Sequence, residues 1–418
     1  MRRQGKLSAW APWLGAAALA VAAPYIFPGG FALSLLCRMG IALVFALSFN
    51  MLMGQGGMMD FGHAVFLGLG GFLAMHAMRA ADAGAPIPTP LLPLVGAAGG
   101  LAAAALAGLV AARSARTAFA MITLGLAEFT VAGVLMLPRL FGGEEGINGD
   151  RSMGPAVFGF EFGAQIQVYY VIAIWALASA VLMYRFTLTP LGRLANAVRD
   201  NAERVGFLGY DPARVRFLTY CASGLFAGVA GGLQAINDEI MTSANIGSEA
   251  SGAVLFMTYI GGVGTFWGPV VGAVLVTMMQ WALGTVTDAW QLYSGLLFVA
   301  MVLWAPGGLS GIILAHAPIV RAGRFSRLLP SYARVAPGAV IGLAGLIGLA
   351  ELAFRLQAIR GGAPGGGRIL YIPADPTAAL PWIVSLAFAV AGVALVARTA
   401  PVARGMWLEV AALDGVRS

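Results

Sequence analysis

Runs of about twenty apolar residues recur from one end of this chain to the other, each long enough to cross a bilayer core roughly 30 Å thick. Composition agrees: of 418 residues, 59% are hydrophobic and only 10% charged, far from the balance of a soluble globular domain. The expected fold class is all-α, a polytopic transmembrane helical bundle. Apolar segments fall near 10–27, 31–53, 60–78, 89–112, 117–138, 165–186, 215–236, 250–264, 266–285, 292–313, 335–357 and 380–398. This pattern suggests about ten core spans plus two extra C-terminal spans. Residues 1–23 also have the outline of a cleavable leader, with Arg2, Arg3 and Lys6 before an apolar stretch. They are read here as a retained first span.

Charge placement orients these spans. With the N-terminus inside, eighteen Lys and Arg fall on the cytoplasmic side, and Arg79, Arg139, Arg151, Arg360 and Arg368 fall on the other. Both termini are then cytoplasmic. The net charge of +7 would suit nucleic acid, but Lys6 is the one lysine and the arginines cluster in short loops. The partner implied is the lipid membrane, not nucleic acid. Outer loops are acidic instead, with Glu144, Glu145, Asp150, Glu161, Asp238, Glu239 and Glu249 offering a face to a basic docking partner. Cys37 and Cys221 lie in apolar segments without metal-ligand neighbours and read as core residues.

Gly54 to Phe72 breaks an apolar run with glycines, a carboxylate and a histidine. Backbone polar groups at membrane depth need internal partners, so a break is tolerated only inside protein or along a wet pathway. A similar run, Glu249 to Gly264, follows another polar break, and the spans before the two runs point in opposite senses. An inverted repeat is therefore expected, a common plan in transporters. The translocation pathway is expected along Gly54, Gln55, Asp60, Phe61, His63 and Phe66, with Met257, Tyr259, Gly261 and Gly262 from the second run and Glu128 from a span. For Asp60 the residue type favours capping a helix near Phe61. For His63 a hydrogen-bonded structural role competes with solute contact, and for Glu128 a buried pair competes with the pathway wall. Arg38 is expected to snorkel.

The loop from Thr187 to Pro212 has the periodicity of a short amphipathic helix, started by Pro190 and stopped at Gly206 or Gly209. Leu194, Val198, Asn201 and Val205 share its apolar face, and Arg193, Arg199, Asp200, Glu203 and Arg204 spread over the rest. Mixed arginine and carboxylate favours a groove on a protein partner over a bare membrane surface.

Several short pieces now stand in order. They are Gly54-Gln55 with Phe61-Gly-His-Ala64, Thr123-Leu124 near Glu128, and Gly142-Gly143 to Gly146. Pro190-Leu-Gly-Arg193, Ala197-Val-Arg-Asp-Asn201, Gly209-Tyr210, Ser223-Gly224 and Ala227-Gly228 to Gly231 follow. Gly261-Gly-Val-Gly264, Trp267-Gly-Pro269 and Ala305-Pro-Gly-Gly-Leu309 complete the set. In this order, over about residues 30–315, the chain resembles the membrane permease of the branched-chain amino acid ABC importers, the hydrophobic amino acid uptake class, in its larger subunit type.

That resemblance implies a second permease subunit, two cytoplasmic ATP-binding subunits and a periplasmic solute-binding protein. It also implies that 190–212 is the coupling helix, with Gly192, Arg193, Val198, Arg199, Asp200, Asn201, Glu203 and Arg204 at the ATPase contact. No cofactor is expected on this chain, because it has no Gly-x-x-x-x-Gly-Lys-Ser/Thr loop; ATP is expected at the partner subunits. It is expected to be a translocation subunit rather than an enzyme, since no nucleophile–base or paired-carboxylate constellation stands out. The alternative is a self-contained transporter coupled to H⁺ or Na⁺ through Asp60, His63 and Glu128. Two domains are expected, a permease core over 1–315 and an extension over 316–418 with two more spans. Glu351 and Arg355, four apart, are placed to pair on one face.

Overall fold

The structure, a computed structural model, describes residues 6–114, 116–156, 159–287, 289–361, 367–369 and 372–413. Arg2, Arg3 and Arg417, and the middle of the Arg360–Arg368 connection, lie outside the described residues. The chain is 81% helical, and its all-α class is as expected.

The helices are α1 (Lys6–Ile26), α2 (Gly30–Asn50), α3 (Ala64–Asp82), α4 (Leu92–Ala111), α5 (Arg116–Met136), α6 (Pro138–Phe141), α7 (Gln165–Leu188) and α8 (Pro190–Phe207). There follow α9 (Pro212–Asp238), α10 (Ser248–Gly261), α11 (Gly268–Gly284), α12 (Trp290–Trp304), α13 (Gly308–Arg321), α14 (Leu329–Arg360) and α15 (Ala379–Leu413). Seven described spans are long and apolar enough to cross a membrane: those of α2 to α5, α7, α14 and α15. The other expected spans are helical too, but differ. Helix α10 has 14 residues, about 21 Å at 1.5 Å per residue, short of the hydrocarbon core. Helices α12 and α13 are bent by 45° at their break, so they make one crossing together or none.

The chain divides into two compact units, Met1–Met278 with Pro306–Ser310, and Met279–Ala305 with Gly311–Ser418. In the first, α9 is central, with buried residues from Val215 to Ile236. Its glycines explain how it fits. An added Cβ on Gly70 of α3 would lie 2.7 Å from Gly228 Cα and 2.7 Å from Gly96 O. One on Gly100 of α4 would lie 2.6 Å from Gly228 Cα, and one on Gly96 would lie 2.9 Å from Gly232 N. Lipid chains are as apolar as leucine, so small residues that let backbones touch are what holds such helices together. Outward, Leu106, Phe129, Met136 and Ile174 are exposed as a lipid-facing surface requires.

In the second unit α14 and α15 run antiparallel on a similar seam: Gly338, Gly342 and Gly345 oppose Leu395, Gly392 and Ala389. Glu351 on α14 is 2% exposed. Thr287 and Tyr293 donate to its Oε1 at 2.5 and 2.9 Å, and Arg355 Nε lies 3.7 Å from Oε2. The Glu351–Arg355 pair was legible from spacing alone; the two hydroxyls were not. Buried carboxylates persist only with such partners.

Candidate functional site

Helix α2 does not end normally. Its last turn, Met51–Gln55, is π-helical, and the chain leaves it through Gly57 at φ +62°. In a Schellman end the left-handed glycine would donate to the carbonyl three residues back and the next residue to the one five back. Here Gly57 N–H reaches Met53 O (3.2 Å) and Met58 N–H reaches Leu52 O (3.0 Å). The ending is wider by one residue, which is the π insertion, and it leaves Gly54 O without those donors.

The following loop is buried and satisfied from three sides. Phe61 N–H donates to Thr123 Oγ1 of α5 (3.2 Å), Gly62 N–H to Asp60 Oδ1 (2.8 Å) and Ala64 N–H to Ser251 Oγ of α10 (3.1 Å). The break is tolerated because protein, not lipid, surrounds it. Asp60 holds the turn at Gly62; helix α3 itself starts later, at Ala64, with no side-chain cap.

Asp60 and His63 are both fully buried. His63 Nδ1 lies 3.4 Å from Asp60 Oδ2, and Nε2 lies 2.9 Å from Ser48 Oγ. The ring stacks on Phe45 at 5.3 Å and meets Phe49 and Phe66 edge-on. The connectivity mimics a hydrolase triad. Ser48, however, gives its proton to Phe45 O (2.7 Å), and none of the three side chains touches solvent, so no substrate reaches them. The cluster is a polar pin between α2 and α3. His63→Ala is expected to destabilise the protein by about 3 kcal/mol, through the cavity and the hydrogen bonds lost at Asp60 and Ser48. A thermal melt in detergent checks this; an unchanged midpoint would count against the pin.

The second break meets the first. After α10 the chain turns through Gly262 at φ +109°, packed on Gly307 and Ser310. Asn50 Nδ2, from the last residue of α2, donates to Thr265 O at 3.4 Å. Met257, Gly261 and Gly262 are buried and Tyr259 half-buried, as are Phe61 and Gln55, while Gly54 and Phe66 are buried. Glu128 is exposed on α5 and makes no hydrogen bond or ion pair among the described residues. The structure thus brings Asp60 and His63 together but leaves Glu128 apart from them.

Helix α8 spans 18 residues. Thr189 Oγ1 caps it by accepting from Gly192 N–H at 3.2 Å. Ala195, Val198 and Val205 bury against Val215, while Arg193, Arg199, Asp200, Asn201, Glu203 and Arg204 are exposed. Gly192 is buried where an added Cβ would meet Thr187 Cα at 2.9 Å. Asn201 does not share the apolar face: its backbone is extended (φ −158°, ψ 98°) and splits the helix. Its Oδ1 accepts from Arg204 N–H at 2.9 Å and so caps the second half. The inward side grips the π turn. Asn196 Nδ2 donates to Gln55 Oε1 at 2.6 Å, and Arg199 Nη1 donates to Gly54 O. A cavity of about 410 Å³ opens here, lined among others by Gly56, Gly57, Arg116, Asn201 and Arg216. Beyond it Phe207, Leu208 and Tyr210 stand exposed at the turn into α9.

At the other end of α9 the loops that carry most of the acidic residues are ordered by Arg151. Its guanidinium donates to Phe162 O, Ile236 O, Asn237 O, Gly163 O and Gln165 Oε1, at 3.1 to 3.3 Å. Ile147–Asn148 and Ile240–Met241 pair antiparallel beside it. Glu239 accepts from Arg151 N–H, and Asp238 faces Arg38 at 3.9 Å. Glu144, Glu145, Asp150, Glu161 and Glu249 remain exposed. The Ser152 N–H and hydroxyl, 2.8 and 2.6 Å from Asp150 Oδ1, hold that carboxyl below its usual range.

Residues 31–306 match a family model described as the permease component of branched-chain amino acid transport systems. Two curated relatives are the "High-affinity branched-chain amino acid transport system permease protein LivM" of Salmonella typhimurium (strain LT2) and of Escherichia coli (strain K12). They are 26% and 25% identical over 285 residues, covering 63% of this chain. The chain spans 65% of the length of these relatives. No solved structure matches. With two-thirds of its length inside the family model and its membrane helices in place, the chain belongs to the permease component family of branched-chain amino acid transport systems.

Proposed function

We propose that this chain is a permease subunit of an ATP-driven importer that carries branched-chain or other apolar amino acids, or related small solutes, into the cytoplasm. The observation that carries the reading is α8 within the family-matched segment. It is an amphipathic helix held on its inward side by the membrane helices, and its outer side presents charges and the Phe207–Leu208–Tyr210 knob. Such a knob beside arginines and carboxylates suits a protein groove. Two cytoplasmic ATP-binding subunits would seat there and hydrolyse the ATP. A second permease subunit would complete the membrane pair, and a periplasmic solute-binding protein would dock on the acidic outer loops. The assembly would sit in the bacterial inner membrane, with both termini of this chain cytoplasmic.

An ion-coupled transporter working through Asp60, His63 and Glu128 is not favoured: the first two are sealed from solvent and the third stands apart. In vesicles holding the purified assembly, replacing the catalytic carboxylate of the ATP-binding subunits is expected to lower solute uptake by about 100-fold or more. Uptake by this chain alone, driven by an ion gradient, would overturn the reading.

A further inference from the structure

We propose that the π-helical turn Met51–Gln55 is the part of the membrane domain that α8 moves first, and that Asn196 and Arg199 are the positioning residues that transmit its motion. The proposal rests on reading α8 as the seat of an ATP-driven partner. It goes further by naming the element that receives the motion and the atoms through which it passes.

The carbonyl oxygen of Gly54 is where α8 meets the π turn. In a Schellman helix end Gly57 N–H would take that oxygen, and Met58 N–H would take Met53 O. In the π-helical ending both donors are shifted by one residue, to Met53 O and Leu52 O. The Arg199 guanidinium fills the vacancy. Gly57 has one N–H, so its bond to Met53 O in the π-helical ending and a bond to Gly54 O in a Schellman ending are alternatives. A helix end with two available hydrogen-bond registers can serve as a two-state element, and α8 bonds it here in the π-helical one.

The second link fixes direction. Asn196 Nδ2 donates to Gln55 Oε1 at 2.6 Å, from the inward side of α8. Gly57 packs directly on the aliphatic part of Arg199, so a displacement of α8 cannot bypass the turn. On the far side of the turn, Asn50 reaches Thr265 O at the break after α10. Among the described residues the Oδ1 of the same Asn50 is buried without a hydrogen-bond partner, which costs stability at this junction. The π turn is bonded to α8 through Gly54 and Gln55, and Asn50, the residue just before the turn, bonds the second break. Single π turns of this kind recur at functional sites.

The test uses the complete importer in vesicles and reads solute transported per ATP hydrolysed, with co-purification of the ATP-binding subunits as the measure of docking. Asn196→Ala and Gln55→Ala are each expected to lower that ratio about fivefold, the worth of one hydrogen bond, while the ATP-binding subunits co-purify in full. The double variant is expected to be no worse than either single one, since both remove one contact. Exchanging the pair, Asn196→Gln with Gln55→Asn, is expected to restore most of the ratio. If one variant fails to fold, the other reads the same bond. Full co-purification with a wild-type ratio in both singles, or losses that multiply in the double, overturns the proposal alone. ATP-binding subunits that never co-purify with the wild-type chain overturn the docking reading, and the proposal with it.

Discussion

Gly228→Val is expected to abolish the folded protein, leaving no monodisperse species on size-exclusion of the detergent extract. At Gly228 a Cβ alone would run into Gly96 O and lie 2.9 Å from both Gly100 Cα and Gly100 N. Valine adds three carbons where backbone meets backbone, and no flexible side chain stands there to yield. Overpacking in an ordinary core costs about 1–3 kcal/mol because neighbouring side chains rotate aside. Here two whole helices, α4 and α9, must part, so the expected loss exceeds that range. Gly125 and Gly133 on α5 provide the contrast, for nothing lies within 4 Å of a Cβ at either. Gly125→Ala is expected to leave the melting temperature unchanged or slightly raised, as alanine is the better helix former. Equal melts for Gly228→Val and Gly125→Ala would contradict the glycine seam.

The second large effect is expected at Arg151. Lysine there keeps the charge but offers three donors on a flexible stem in place of five on a planar fork. At least two of the five oxygens it now serves would lose their partner. Unpaired buried acceptors cost about 1–3 kcal/mol each, and partial exposure of this loop lowers that, so Arg151→Lys is expected to cost about 2–4 kcal/mol. Hydrogen exchange localises the effect: amides of 159–165 and 236–241 should lose protection while those of α3 and α4 keep it. Protection at wild-type level in those segments would show that the charge alone suffices. Disorder in this loop would also weaken the docking proposed on the acidic residues beside it.

How much of this was readable from residues alone follows from which interactions are local. Helical spans were legible because bilayer thickness sets their length and hydropathy their composition. The amphipathic pattern of α8 was legible for the same reason, and so was the Glu351–Arg355 spacing. Asn201 was placed on the apolar face by periodicity, yet it breaks the helix. Its side chain competes for backbone donors, a local preference that a period count ignores. The face of a membrane helix that meets protein is harder still. Ala118, Met121, Gly125, Glu128, Ala132 and Leu135 are all exposed on α5, and nothing in their order distinguishes that stripe from the buried one through Phe119, Thr123 and Ala127. The π turn left only Gly57 as a trace, because one inserted residue alters the hydrogen-bond register without altering composition. Arg151 and Asn196 act on residues far away in sequence, and no local pattern reports that.

The seam between α3, α4 and α9 has a mechanical consequence. Side chains between two helices act as a lubricant: they change rotamer and let one helix slide along the other. Where carbonyl oxygens and glycine carbons touch directly, as at Gly70, Gly96, Gly100 and Gly228, there is nothing to rearrange, and a small slip drives one ridge of backbone into the next like meshed teeth. These three helices must travel as one rigid block. Whatever opens and closes a path through this protein therefore works at the edges of that block, where the backbone is already broken.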